Sequence, residues 1–178
     1  MNAAVHPPRR ASARFMLQHP AHALALGFGS GLSPRAPGTV GTLWAWASFL
    51  LLDHWLGPLA WAVLLAGGLL AGVWACTLCA RHMGTADPGA IVWDEILAFW
   101  AVLHLLAPAG WGLQLLAFGL FRYFDAAKPG PVGWADRRFK LHEAGPIGWA
   151  QGFGILFDDL VAAACTMAVL VIVRWPWN

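Results

Sequence analysis

Five carboxylates interrupt stretches of the sequence that are otherwise apolar. They are Asp94, Glu95, Asp125, Asp158 and Asp159. An ionised carboxylate at the centre of a bilayer costs about 2.5–3.5 kcal/mol, so acids in apolar segments usually serve a function. A cluster of acids persists when a cation neutralises it, and oxygen-only ligands suit a hard cation such as Mg²⁺. We therefore predict that these five acids form a Mg²⁺ site.

The alternative for the same acids is structural ion pairing. The basic side chains near them in the sequence are Arg122, Lys128, Arg137 and Arg138. Adjacent residues on a helix also point about 100° apart, so the two members of each acidic pair cannot face one point equally. We expect one member of each pair to bind the metal ion, and the other to support it, position water or pair with a base.

A Gly/Pro-rich stretch, residues 27–42, is the second candidate site. Its glycines would let backbone N–H groups approach a phosphate, and a helix N-terminus favours anions. The stretch lacks the GK[ST] ending of a Walker A loop, so nucleotide binding is not implied. We predict that Ser33, Arg35 and Thr39 in this stretch contact a phosphate group.

The composition is typical of a membrane protein. Hydrophobic residues make up 59% of the 178 residues and charged residues only 11%, against about 45–50% and about 25% in soluble domains. Twelve tryptophans add to this assignment, because Trp favours the membrane interface. A net charge of +2 without a basic stripe excludes nucleic acid as an expected partner. No Cys-x5-Arg phosphatase loop, Asp-x-Asp pair or zinc spacing is present.

Five apolar segments must position the acids. They cover residues 39–52, 59–80, 91–107, 111–124 and 152–175. The second is long enough to cross about 30 Å of hydrocarbon, whereas the first is too short for a full span. We predict an all-α, multi-pass helical membrane bundle, a single domain over residues 1–178, with a Gly/Pro-rich N-terminal loop and polar cytoplasmic loops. Residues 1–14 are expected to be flexible.

The positive charges orient these segments. With a cytoplasmic N-terminus, almost every Lys and Arg falls on the cytoplasmic side, as the positive-inside rule requires. Arg122 lies near the inner end of its segment, and Arg174 alone falls outside. The same topology brings the five acids and the Gly/Pro-rich stretch to the cytoplasmic face. Gly68 and Gly72 in the second segment have the spacing at which helices can approach closely, although a chance match is equally compatible.

Four blocks of sequence resemble the phosphatidylglycerophosphatase A family. They are GFGSGLSPRAPGTVGTL at 27–43, DPGAIVWDE at 87–95, FRYFDAAKPGPVGWADRRF at 121–139 and GFGILFDDLVAA at 152–163. The resemblance implies an all-helical, Mg²⁺-dependent lipid phosphatase of the bacterial inner (cytoplasmic) membrane, with its active site facing the cytoplasm. It implies hydrolysis of phosphatidylglycerophosphate to phosphatidylglycerol and phosphate. It also implies metal binding and catalysis by a set of residues carried over from the blocks: Asp94, Glu95, Asp125, Asp158 and Asp159, with Lys128, Asp136 and Arg137 beside them. Within that set, we expect Lys128 and Arg137 to bind the substrate phosphate.

The sequence departs from the family pattern in three places. Residues 140–151 resemble an insertion between the third and fourth blocks, Gly130 replaces an aromatic residue, and Ala90 replaces a serine. The insertion affects the expected geometry around Arg137, but every acidic position is kept.

Several functions fit the acidic cluster. In a phosphatase, either a water molecule or an Asp carboxylate would attack phosphorus, the latter through a phosphoaspartate. A small membrane cation or proton transporter is the alternative, since it also uses intramembrane acids. A non-catalytic scaffold is a third alternative, but it leaves the clustered acids unexplained. The expected partners are the bilayer and a phospholipid substrate, and the sequence assigns no oligomeric state.

Overall fold

Every regular element in the computed structural model is helical within the residues that the structure describes, 9–139 and 147–174. The elements are α1 (Ala13–Met16), α2 (Pro20–Ala25), a 3₁₀ segment (Gly27–Leu32), α3 (Pro37–Leu52), α4 (Pro58–Met83), α5 (Trp93–Leu106), α6 (Trp111–Ala127), α7 (Pro131–Phe139) and α8 (Trp149–Arg174). The all-helical prediction is confirmed for this part of the chain.

Proline and glycine set several helix boundaries. Pro37 and Pro58 occupy the first positions of α3 and α4, where a missing N–H costs nothing. Gly84 takes a left-handed conformation with φ 70° and ends α4. The five predicted segments agree with α3, α4, α5, α6 and α8 to within a few residues. The largest differences are three residues, at the end of α4, at the end of α6 and at the start of α8, where Trp149 precedes the predicted boundary.

Helix α5 lies at the centre of the bundle, packed against α3, α4, α6 and α8. Trp93 in its first turn packs on α4, where its Nε1 donates a hydrogen bond to the carbonyl oxygen of Gly68 at 3.0 Å. A Cβ added at Gly72 would lie 2.7 Å from the Trp93 ring. The Gly-x-x-x-Gly spacing is therefore a site of close helix approach rather than a chance match.

Short connections make α3, α4, α5 and α6 alternate in direction. The N-terminal ends of α3 and α5 and the C-terminal ends of α4 and α6 consequently meet at one end of the bundle. This end carries the acids, and we refer to it as the acidic end.

Two helices are long and apolar enough to cross a membrane, Pro58–Met83 and Trp149–Val173. Only 33% and 44% of their most apolar stretches are buried within the protein. Leu59, Leu70 and Ile172 are each more than 70% exposed on these helices. A core helix of a soluble protein would bury such residues, so the exposed apolar surface indicates a membrane protein. Helix α3 is also apolar, but it is shorter.

Some regions expected to be loops are helical. Helix α7 lies within the polar connection before α8, where it buries Val132 and Ala135 and its Phe139 packs on Phe153 and Phe157 of α8. In the predicted flexible N-terminus, the Arg9 N–H donates to the carbonyl oxygen of Met83 at 2.9 Å, and α1 begins at Ala13. The flexibility of this segment stays a prediction. Residues 1–8 of that prediction, and residues 140–146 of the predicted insertion, lie outside the described residues.

Candidate active site

The five predicted acids converge at the acidic end from three helices. Asp94 and Glu95 lie in the first turn of α5, Asp125 lies in the last turn of α6, and Asp158 and Asp159 lie nine and ten residues after the start of α8. The carboxyl group of Asp159 interacts electrostatically with all four others. Asp158 and Asp159 are each only 3% exposed, and Glu95 is 9% exposed. The predicted convergence is therefore confirmed.

Arg122 joins three helices at this end. Its Nη1 donates to Asp125 Oδ2 at 2.5 Å and lies 3.3 Å from both Glu95 Oε1 and Thr42 Oγ1. These contacts connect α6 to the first turn of α5 and to α3. Because the guanidinium group carries several N–H donors in a fixed plane, it can serve several acceptors at once.

Lys128 forms the second basic centre. Its Nζ donates to Asp136 Oδ1 at 2.5 Å and to Asp158 Oδ2 at 2.6 Å. Lys128 follows α6 in a left-handed conformation with φ 46°, which is uncommon for a residue other than glycine. Such strained residues cluster at functional sites.

The ion-pairing alternative is thus realised for Glu95, Asp125 and Asp158, with Arg122 and Lys128 as partners. Asp94 and Asp159 make no ion pair with Lys or Arg in the part of the chain that the structure describes. Arg137 is exposed on α7, and no ion pair joins it to the five acids among the described residues.

The Gly/Pro-rich stretch also lies at the acidic end. A Cβ added at Gly38, in the first turn of α3, would overlap the Glu95 carboxylate. Thr39 follows it in the same turn and is partly buried. Ser33 donates its hydroxyl hydrogen bond to the carbonyl oxygen of Arg35 at 2.8 Å, and the Arg35 side chain is exposed. The structure therefore brings this stretch to the acids through the start of α3.

Two buried carboxylate oxygens at the acidic end are of the chemical type that binds a hard divalent cation. Asp94 Oδ1 and Glu95 Oε2 are buried, and neither makes a hydrogen bond within the described residues. Carboxylate oxygens of this kind are ligands that Mg²⁺ prefers. No group of three or more Asp, Glu, His or Cys side chains among the described residues is arranged to hold an ion as it stands.

Sequence reasoning left three residues of this site without a catalytic or binding role. Asp87 interacts electrostatically with Asp94 and Glu95. The sequence feature that could have identified it is its position as the first residue of the DPGAIVWDE block. Arg122 was considered only as an ion-pair partner, although it contacts three helices. Thr42, which contacts Arg122, lies within the first block but was not assigned a role. Asp136, which the family resemblance does include, contacts Lys128.

Comparisons with known proteins identify the family to which the chain is similar. A family model described as phosphatidylglycerophosphatase A matches residues 23–174. The chain is 36% identical to phosphatidylglycerophosphatase A of Escherichia coli strain K12, covering 94% of this chain and 91% of that protein. It is 35% identical to the Haemophilus influenzae protein of the same name, over 91% and 93% of the two chains.

A protein of Bacteroides thetaiotaomicron, named as a candidate phosphatidylinositol-3-phosphatase, is 33% identical over 85% of this chain and 92% of its own. No solved structure matches. The family match spans most of the chain, and the identities hold over nearly the whole length of the relatives. The chain therefore belongs to the phosphatidylglycerophosphatase A family.

Proposed function

We propose that this protein is a Mg²⁺-dependent lipid phosphatase that hydrolyses phosphatidylglycerophosphate to phosphatidylglycerol and inorganic phosphate. It acts as a multi-pass protein of the bacterial inner membrane, with the acidic end facing the cytoplasm. The observation that carries the proposal is the convergence of five carboxylates from three helices on one end of an apolar bundle. Family membership supports a phospholipid monoester as the substrate.

Asp94 and Glu95 would hold the Mg²⁺ ion together with Asp125, Asp158 and Asp159. The support for this assignment is the buried carboxylate oxygens of Asp94 and Glu95 that make no hydrogen bond within the described part of the chain. When bound, Mg²⁺ would neutralise phosphate charge and polarise the phosphoryl oxygens.

Basic groups of the chain would bind the phosphate. Lys128 and Arg122 lie among the acids, and their N–H groups would donate charge-assisted hydrogen bonds to the non-bridging oxygens. Arg35 and Arg137 are exposed near this end and would bind the outer part of the head group. Ser33 and Thr39 would add hydroxyl donors beside the N-terminal end of α3, whose dipole favours an anion.

Hydrolysis breaks the bond between phosphorus and the glycerol oxygen. A water oxygen forms the new bond to phosphorus, a carboxylate of the cluster takes the proton from that water, and the leaving glycerol oxygen gains a proton. In the alternative route, an Asp carboxylate oxygen bonds to phosphorus first, and water then releases phosphate from the phosphoaspartate. Both routes use the same cluster.

Phosphate release from phosphatidylglycerophosphate by the detergent-solubilised protein tests the proposal. We expect release with Mg²⁺ and none after chelation, and release that persists with chelator would contradict the Mg²⁺ dependence. Cation flux in liposomes without any hydrolysis would instead favour the transporter. The position of the acids at one end, rather than along a span, argues against that alternative.

A pair of matched variants assigns the site. Asp158→Asn should lower turnover by about 100-fold or more, as expected for loss of a catalytic acid or base. Asp53→Asn is the control, because Asp53 follows the opposite end of α3 and accepts a hydrogen bond from Trp61. Near-normal turnover by Asp158→Asn would remove Asp158 from the catalytic set.

A further inference from the structure

An apolar groove lies between α4, α5 and α8. Its volume is about 220 Å³, and it is lined by Leu65, Ala66, Leu69, Leu97, Ala101 and Leu160. The small side chains of Ala66 and Ala101 leave this space open. Ala66 is exposed on the outer surface of α4, one of the two helices long enough to span a membrane. The groove is therefore accessible from the side of the bundle that would face lipid.

The groove lies about one helical turn from the acids along α5. Leu97 follows Asp94 by three residues on α5, which places the two side chains on one face about a turn apart. Leu160 immediately follows Asp159 on α8, so its side chain lies at a similar height along the helix but points about 100° away around it. At Gly68 of α4, the absence of a side chain lets Leu97 of α5 pack closely against α4 beside the groove. When the charged end of a lipid ligand contacts the acids, its apolar tail would thus lie near the groove.

We propose that the groove holds an acyl chain of the phospholipid whose phosphate monoester is bound at the acidic end. The inference rests on the proposed function and deepens it by assigning a position to the lipid tail. Lipid tails are as apolar as leucine, so the groove contributes little hydrophobic free energy inside a bilayer. Its contribution is orientation, because a chain fixed in the groove holds the head group at the reacting groups.

Groove-filling variants test this assignment. Ala66→Leu and Ala101→Leu narrow the groove, whereas Ala60→Leu adds the same volume on an exposed part of α4 outside it. With dioleoyl phosphatidylglycerophosphate in mixed micelles, kcat/KM should fall about tenfold for the groove variants. With the deacylated head group as substrate it should stay within twofold of the unmodified protein. Ala60→Leu should leave both rates unchanged. Equal losses on both substrates, or no loss on the lipid, would overturn the proposal.

A binding measurement separates the groove from the chemistry. Phosphatidylglycerophosphate with a photoreactive acyl chain should label the α5 segment around Leu97 and Ala101, which is otherwise covered by other helices. Ala101→Leu should reduce this labelling at least fivefold, and Ala60→Leu should not. Labelling without phosphate release would contradict the proposed function alone. Phosphate release without labelling of α5 would contradict the acyl-chain groove alone.

Discussion

Lys128 Nζ lies 2.6 Å from Asp158 Oδ2, a contact between residues 30 positions apart in the sequence. The left-handed conformation of Lys128 ends α6 at the point where its side chain can reach α8. The same ammonium group bonds to Asp136 of α7, so three helices share one cation. The Lys128 ammonium group therefore already lies among the acids, where it could contact a bound phosphate without a change in the backbone.

Lys128→Met should lower kcat/KM for the lipid about 10- to 100-fold. The reason is that a hydrogen bond to a charged group contributes about 1.5–3 kcal/mol, which the variant removes from the bound phosphate. Steady-state phosphate release measures the effect. Arg138→Met is the matched control, since Arg138 is exposed on α7 and packs over the Phe139 ring. If Lys128→Met kept at least half of the activity, Lys128 would be a structural residue only.

Arg122→Gln should destabilise the folded protein by roughly 3 kcal/mol. This is the lower end of the range for breaking a buried ion pair, because the Arg122 side chain is 19% exposed and that of Glu95 is 11% exposed. The cost comes mainly from leaving the Glu95 carboxylate buried without its cation. Chemical unfolding in detergent micelles gives the measurement.

The double variant Arg122→Gln/Glu95→Gln isolates that cause. It removes the uncompensated charge along with its partner, so it should recover part of the stability lost in Arg122→Gln. The contrary result is that the stability losses of the two single variants add up in the double variant. That result would show that the Arg122 and Glu95 side chains do not interact.

The end of the bundle at which the acids meet was predictable, whereas the contacts among them were not. Alternating apolar segments place the start of one helix beside the end of the previous one, so Asp94, Asp125 and Asp158 had to share an end. The positions of Arg122 and Lys128 between the acids depend on the length of their side chains and on the left-handed backbone conformation of Lys128. The spacing of apolar residues in the sequence predicts neither feature. Helix α7 escaped prediction because its nine residues contain a glycine and a proline and bury only a few side chains.

Gly38→Ala should lower catalytic efficiency at least tenfold. A methyl group there would overlap the Glu95 carboxylate and approach Arg122 Nη1 to 3.2 Å, so α3 or the acid must move. Gly67→Ala is the control, because a Cβ at Gly67 in α4 meets no atom within 4 Å. In that open position alanine should maintain or raise stability, by up to about 1 kcal/mol. Equal activity of the two variants would show that the spacing between α3 and Glu95 does not matter for turnover.

Acid should destabilise the packing of α2 on α4 through His22. The His22 side chain is 2% exposed, its Nδ1 lies 2.9 Å from the Phe15 carbonyl oxygen, and its Nε2 lies 2.7 Å from His82 Nδ1. Burial lowers the pKa of His22 from its ordinary value of 6.5, and the neighbouring His82, His19 and Arg9 lower it further, while the bond to Phe15 opposes them.

Because the pKa of His22 is lower in the folded state, the unfolded chain binds more protons as pH falls below 6.5. The stability from the neutral ring is therefore complete above that pH and is lost as pH falls through the folded-state pKa. His22→Asn keeps a donor for the Phe15 carbonyl and cannot take up a proton. The melting temperature of this variant should fall less between about pH 7.5 and 5 than that of the unmodified protein. The exposed His54→Asn is the control, and a melting temperature that falls equally in all three proteins would rule out His22 as the source of the acid sensitivity.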